Sequence, residues 1–191
     1  MRHKKQEGEG DPRLVYWDAC IFIAHLKNEQ RAVEEVDAVG EQFRRLDDGE
    51  IVVVTSTLTL TEVLECDIPA ENRAKLETLK QMPDRLKLDQ VSMPIAELAH
   101  DIRSDIKASG TWGGRTVKTA DAIHIATAWV NKCEVMYTFD ENCRGGGLGL
   151  LPLSGTDAVR KLLIQKPPTP TQTTLDREWD SGKVREDEEG E

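Results

Sequence analysis

Four acids in this chain stand among apolar residues or directly after an apolar strand. Asp18 follows Leu14-Val15-Tyr16-Trp17 and precedes Ala19-Cys20-Ile21. Glu62 stands between Leu60 and Val63. Asp121 sits in Ala120-Asp121-Ala122-Ile123-His124-Ile125-Ala126, and Asp140 follows Val135-Met136-Tyr137-Thr138-Phe139. Carboxylates in such surroundings are rarely buried unless paired or bound to a metal. Each also has an ordinary explanation: a helix cap after a strand, a favourable charge in a first helical turn, or a solvated helix position. Brought together, they repel. Two carboxylates about 5 Å apart cost about 3 kcal/mol at an effective dielectric of about 20. Either some hold protons or a cation neutralises them. An all-oxygen ligand set suits Mg²⁺ or Mn²⁺, not zinc, and leaves room for a phosphate oxygen and a nucleophilic water.

The elements that would position these acids alternate. Leu14–Trp17 reads as a short buried strand, and Ala19–Leu26 and Arg31–Leu46 read as helices. The second helix places Val33, Val36, Val39/Gly40 and Phe43 at three- and four-residue steps. Ile51-Val52-Val53-Val54 is β-branched throughout, as in a strand covered on both faces. Thr57–Leu64 and Glu71–Gln81 read as helices, the latter stopped by Pro83. Leu86–Leu88 reads as a strand, and Pro94–Lys107 as a helix with proline in its first turn. A loop with three glycines spans Ser109–Lys118, followed by a helix over Thr119–Val130 and a strand over Val135–Thr138. A glycine-rich turn covers Arg144–Gly149, and Asp157–Ile164 is expected to close the domain as a helix. This alternation predicts an α/β fold around a central, mainly parallel sheet flanked by helices. Ligands of open parallel sheets lie beyond the carboxyl ends of the strands, so Asp18 and Asp140 should share one rim. Glu62 would lie one to two turns into the helix after the second strand, and Asp121 in the first turn of its helix.

Composition narrows the function classes. The 191 residues carry 25 basic and 35 acidic side chains, for a net charge of −10. A basic nucleic-acid coat is therefore excluded, and any such contact must use a local patch. No apolar run reaches the roughly 18 residues of a membrane span, and the charged, Gly-rich start fits a signal peptide poorly. Cys20, Cys66, Cys133 and Cys143 form no C-x-x-C pair and read as reduced thiols of a cytoplasmic protein. Residues 1–13 are expected to be a flexible N-terminal segment, 14–165 the folded domain, and 166–191 a disordered tail. The tail is Pro-rich at its start and holds eight acids against four bases.

The ordered set Val15-Tyr16-Trp17-Asp18-Ala19, Ser56 to Leu64 around Glu62, Thr119 to Ala128 around Asp121, and Tyr137-Thr138-Phe139-Asp140 resembles the PIN-domain nucleases, in particular VapC-type toxins. The resemblance covers roughly residues 14–164. It implies a PIN-like three-layer fold and a Mg²⁺- or Mn²⁺-dependent endoribonuclease with Asp18, Glu62, Asp121 and Asp140 as its acidic quartet. It further implies a homodimer and, for toxin members, a cognate antitoxin protein. Asn142 is a candidate to supplement or replace the fourth ligand. The stretch Lys107–Lys118 and the long tail exceed a minimal domain of this kind.

The chemistry expected is metal-assisted phosphodiester hydrolysis. Asp18 and Asp121 are the first candidates for direct ligation, with Asp140 completing the set. Glu62 would hold a water, orient the nucleophile or act as base. Thr138 would hydrogen-bond a carboxylate or a phosphate, or be an ordinary strand residue. His124 shares a helix face with Asp121; a hydrogen-bonded core histidine is the favoured reading, with proton donation to a leaving group the lesser one. Glu65 reads as solvated. Positive contacts for RNA would come from Arg103, Lys107, Arg115, Lys118 and Arg144, with Trp112 stacking on a base. The alternative to an enzyme is a degenerate PIN-like module that binds RNA or protein without cutting. A haloacid-dehalogenase-type phosphohydrolase is disfavoured, because the second acid of that chemistry would fall at Cys20. The acidic tail could also fold over an RNA groove and lower activity, or serve only for solubility.

Overall fold

The computed structural model describes residues 12–27, 31–141 and 147–170. Asn142, Cys143, Arg144 and the tail beyond residue 170 lie outside the described residues. Five parallel strands run in the order β3-β2-β1-β4-β5. They are β1 (Arg13–Trp17), β2 (Ile51–Ser56), β3 (Leu86–Asp89), β4 (Val135–Tyr137) and β5 (Leu163–Gln165). The helices are α1 (Ala19–Leu26), α2 (Val33–Asp48), α3 (Thr57–Leu64), α4 (Ala70–Lys80), α5 (Met93–Ala108) and α6 (Thr119–Val130).

The sheet separates two apolar cores, and successive strand residues alternate between them. Val15, Trp17, Val53, Val135 and Tyr137 face α1, α2, α3 and α4, where they meet Ile21, Phe22, Phe43 and Val63. Tyr16, Val54, Met136 and Ile164 face α5 and α6, against Ile95, Ile102, Ile106 and Ile125. This double burial explains why β1, β2 and β4 are near-continuous apolar runs. The result is the three-layer arrangement expected from the sequence.

Two local expectations fail. The predicted helix over Asp157–Ile164 is instead a short 3-10 turn at Asp157–Val159 followed by β5. Arg160 and Lys161 adopt φ of 56° and 63°, a left-handed pair that stops a helix. The chain then straightens, and Leu163 pairs beside Val135 at the sheet edge. In α2, Val33 and Val36 are 71% and 50% exposed, whereas Ala38, Val39, Phe43 and Leu46 are buried. Repeated three-residue steps slip about 60° each around a helix, so the first two valines rotate off the core face. The same helix ends at Gly49, whose φ of 78° is the left-handed stop that glycine tolerates. At the start of the expected tail, Pro167 is buried and Lys166 Nζ lies 3.0 Å from Glu35 Oε1 of α2. Cys20, Cys66 and Cys133 are free thiols. Among the described residues, no helix is long and apolar enough to cross a membrane.

Candidate metal centre

The strand order sets the site. From central β1 the chain moves outward through β2 and β3, then returns to place β4 on the other flank of β1. The carboxyl ends of β1 and β4 therefore diverge into different connections and leave a crevice between them. Asp18 is the first residue after β1, and Asp140 lies three residues beyond Tyr137. The backbone N–H of Asp18 donates to Tyr137 O at 3.1 Å, stitching the two strand ends together.

Each acid is held by its own element. Asp18 caps α1: its Oδ1 accepts the Ala19 N–H at 2.6 Å. Its Oδ2 accepts the Thr138 hydroxyl at 2.8 Å and the Cys20 thiol at 3.3 Å. Thr138 Oγ1 in turn accepts the Asp140 N–H at 3.1 Å, so this buried threonine ties the first and fourth acids together. Glu62 is carried by α3, whose start is capped by Ser56 Oγ accepting the Leu58 N–H at 3.2 Å. Asp121 sits in the first turn of α6, and its Oδ2 accepts the Lys118 N–H at 3.2 Å. Asp18, Glu62, Asp121 and Asp140 line one open cavity of about 610 Å³, together with Lys118 and Glu141.

His124 lies at the floor of this cluster. Its side chain is 1% exposed; Nε2 stands 2.9 Å from Glu62 Oε2 and 3.9 Å from Asp18 Oδ1. Nδ1 stands 2.7 Å from the Tyr16 hydroxyl. With both ring nitrogens engaged and the ring buried, His124 is the hydrogen-bonded core residue of the favoured reading and not a donor to a leaving group. One ligand atom each from Asp18, Glu62 and His124 lie within 4.8 Å of one another. The imidazole already faces Glu62, so the donors open to a cation are carboxylate oxygens, which fit a hard divalent ion.

The electrostatics point the same way. Burial, reinforced by the charges of Asp18 and Asp140, pushes the Asp121 carboxyl up to about 6. Asp140 is also raised, by burial and then by Asp18. For His124, burial alone would depress the imidazole. The hydrogen bond to Glu62 and the charges of Asp18, Glu62 and Asp121 together outweigh it, and the net shift is upward. These groups bind protons more tightly folded than unfolded. Their stabilisation is therefore complete below the unfolded values and is lost as pH rises through the folded ones. The metal-free chain should melt at a lower temperature at about pH 7.5 than at about pH 5, and Mn²⁺ should raise the melting point more at the higher pH. A Mn²⁺ shift of equal size at both pH values would show that these acids do not share the ion.

The expected RNA contacts separate. Lys118 lines the cavity. Arg103 donates from Nε to Val117 O at 3.1 Å, Arg115 from Nε to Trp112 O at 3.2 Å, and Trp112 packs half-buried on the core. These three brace the 109–118 loop on itself. Lys107 is exposed in the last turn of α5, and Glu65 is exposed as expected. Sequence reasoning missed the Tyr16 hydroxyl, which lies beneath the acids but reads in the sequence as one more apolar strand residue. It also missed Cys20 as a donor to Asp18, and Glu141 on the cavity wall. The one available signal was adjacency, since Tyr16, Cys20 and Glu141 all lie within two residues of a predicted acid.

The family model described as the PIN domain matches residues 15–145. Among solved structures, the chain is similar to one in VapBC2 from Rickettsia felis, bound there to a DNA fragment from its promoter. That match is 13% identical, covers 80% of this chain and 98% of the other, and has a TM-score of 0.53. FitAcB from Neisseria gonorrhoeae is 20% identical over 80% of this chain and 97% of its own, with a TM-score of 0.51. No curated protein sequence matches.

Proposed function

The chain belongs to the PIN domain family, and from that premise we propose that it is a Mg²⁺- or Mn²⁺-dependent endoribonuclease, the toxin of a toxin–antitoxin pair. The observation that carries this reading is the convergence of Asp18, Glu62, Asp121 and Asp140 from four separate stretches of chain on one open cavity. A purely structural role does not account for gathering acids whose burial and mutual repulsion lift Asp121 to about 6.

Asp18, Asp121 and Asp140 would hold the cation, with Glu62 beside them. When bound, the ion supplies Lewis-acid polarisation of the phosphodiester and activation of water for in-line attack. The chain's own residues do the rest. Thr138 and the Ala19 N–H fix both oxygens of Asp18 before substrate arrives. Glu62 receives the proton of the attacking water on Oε1, since Oε2 is engaged by His124. Lys118 at the cavity wall offsets the phosphate charge. As the phosphorus–oxygen bond to the leaving nucleoside breaks, solvent at the open mouth supplies the proton that oxygen needs. The partner on this reading is an antitoxin protein, in keeping with the similar chain solved within VapBC2.

The test is direct. Purified chain should cut RNA in millimolar Mg²⁺ or Mn²⁺, stop on addition of EDTA, and resume when the ion is restored in excess. Binding of RNA with no cleavage in either ion would favour the degenerate module instead.

A further inference from the structure

We propose that Tyr16 and His124 form a buried positioning arm that fixes the carboxylate of Glu62. The proposal rests on the reading of Glu62 as part of the nuclease centre, and it adds two residues that touch neither cation nor substrate.

The argument follows the protons. Tyr16 is fully buried, and its hydroxyl oxygen accepts the Ser56 N–H at 3.1 Å. The nearby Thr55 hydroxyl is committed to Trp17 O at 2.8 Å and meets Thr59 Oγ1 at 2.7 Å. With Thr59 also beside the hydroxyl, the phenolic proton has His124 Nδ1, 2.7 Å away, as its nitrogen acceptor. A neutral ring that accepts at Nδ1 carries its hydrogen on Nε2, and an imidazolium carries one there too. In both forms Nε2–H donates to Glu62 Oε2 at 2.9 Å. The remaining form, with hydrogen on Nδ1 alone, would aim a lone pair at a carboxylate. Ser56 both donates to Tyr16 and caps α3, so one residue ties the arm to the helix that carries Glu62. A free glutamate samples many rotamers, and freezing one costs conformational entropy. Here that freezing is done in the folded chain, with Oε2 held and Oε1 left for the cavity. Partners that orient ligating groups in this way typically contribute about ten- to a hundredfold in affinity or activity.

The experiment uses the full chain with ¹⁵N-labelled histidine, RNA cleavage in Mn²⁺, and Mn²⁺ affinity read by electron paramagnetic resonance. Long-range ¹H–¹⁵N correlations of the wild type should show His124 with hydrogen on Nε2; a ring with hydrogen on Nδ1 alone overturns the proposal. His124→Gln can place an amide N–H where Nε2 stands and should keep kcat within about threefold of wild type, whereas His124→Leu should lose about ten- to a hundredfold in kcat or Mn²⁺ affinity with little change in KM. Equal losses in the two variants, or none in the leucine variant, would also overturn it. Should His124→Leu fail to fold, Tyr16→Phe keeps the buried ring and removes the proton that sets the tautomer. With Nδ1 no longer held, kcat or Mn²⁺ affinity should fall several-fold with little change in KM, and unchanged values count against the arm. Wild type that cuts no RNA would defeat the ribonuclease reading, while the ring spectrum would still decide this inference.

Discussion

Asp18→Asn should reduce RNA cleavage by at least about a thousandfold, equivalent to about 4 kcal/mol of transition-state stabilisation. The amide keeps the neutral contact at the helix start, because its carbonyl oxygen can still accept the Ala19 N–H that caps α1. The change therefore removes charge and one oxygen donor from the centre while leaving that cap intact. Stability of the metal-free chain should change little, because relief of the repulsion that raises Asp121 and Asp140 offsets the loss of the Oδ2 acceptor for Thr138 and Cys20. Activity collapses while the melting point holds, which separates loss of chemistry from loss of fold. The two readouts are kcat/KM on RNA and the midpoint of metal-free thermal unfolding. Cutting that persists undiminished in Asp18→Asn would remove this residue from the site and, with it, the metal-centred mechanism.

Trp17→Ala has the largest expected effect on stability, about 3–5 kcal/mol. Trp17 is fully buried, with its ring 4.8 Å from Phe43 and 5.4 Å from Phe22 between centroids. A loss of that size is a large share of the roughly 5–15 kcal/mol typical of a folded domain and should lower the melting temperature by about 6–20 °C. Trp17→Phe should cost far less. It keeps an aromatic ring in the cluster and deletes the indole N–H, which has no hydrogen-bond partner among the described residues. Denaturant unfolding of the two variants checks this. If both cost the same, ring packing against Phe22 and Phe43 is not what holds this layer. Because Trp17 directly precedes Asp18, the same packing anchors the acid at the strand end.

The parts of this molecule that were legible in the sequence are those with a strong local pattern. β2 could be read from Ile51-Val52-Val53-Val54 because strands covered on both faces need no polar alternation. The bounds of α6 at Thr119 and Val130 could be read to the residue. The four acids were legible because Asp18, Glu62 and Asp121 stand among apolar residues and Asp140 follows a buried strand, and the topology then placed them at one rim. β5 was not legible. Three residues after two left-handed positions carry too little pattern, and Val159 and Leu162 mimic a helical step. The Tyr16–His124–Glu62 chain was not legible either. Its members are separated by 108 and 62 positions, and only the packed sheet brings them within hydrogen-bond reach. Among the residues expected to contact RNA, charge and aromaticity alone could not distinguish a side chain facing the cavity, as at Lys118, from those that brace a loop, as at Arg103 and Arg115.

All five strands point the same way, so the two termini of the folded body are not equivalent. The chain enters β1 at the end of the sheet remote from the acids. It leaves β5 at the end that carries them, where Lys166 is clasped between Glu35 and Glu141, the latter a wall residue of the cavity. An affinity handle or fluorescent fusion placed ahead of residue 12 hangs from the far side of the molecule. One joined beyond residue 170 begins its path at the rim that carries the four acids, so the choice of tag decides whether the proposed nuclease is assayed with that rim clear.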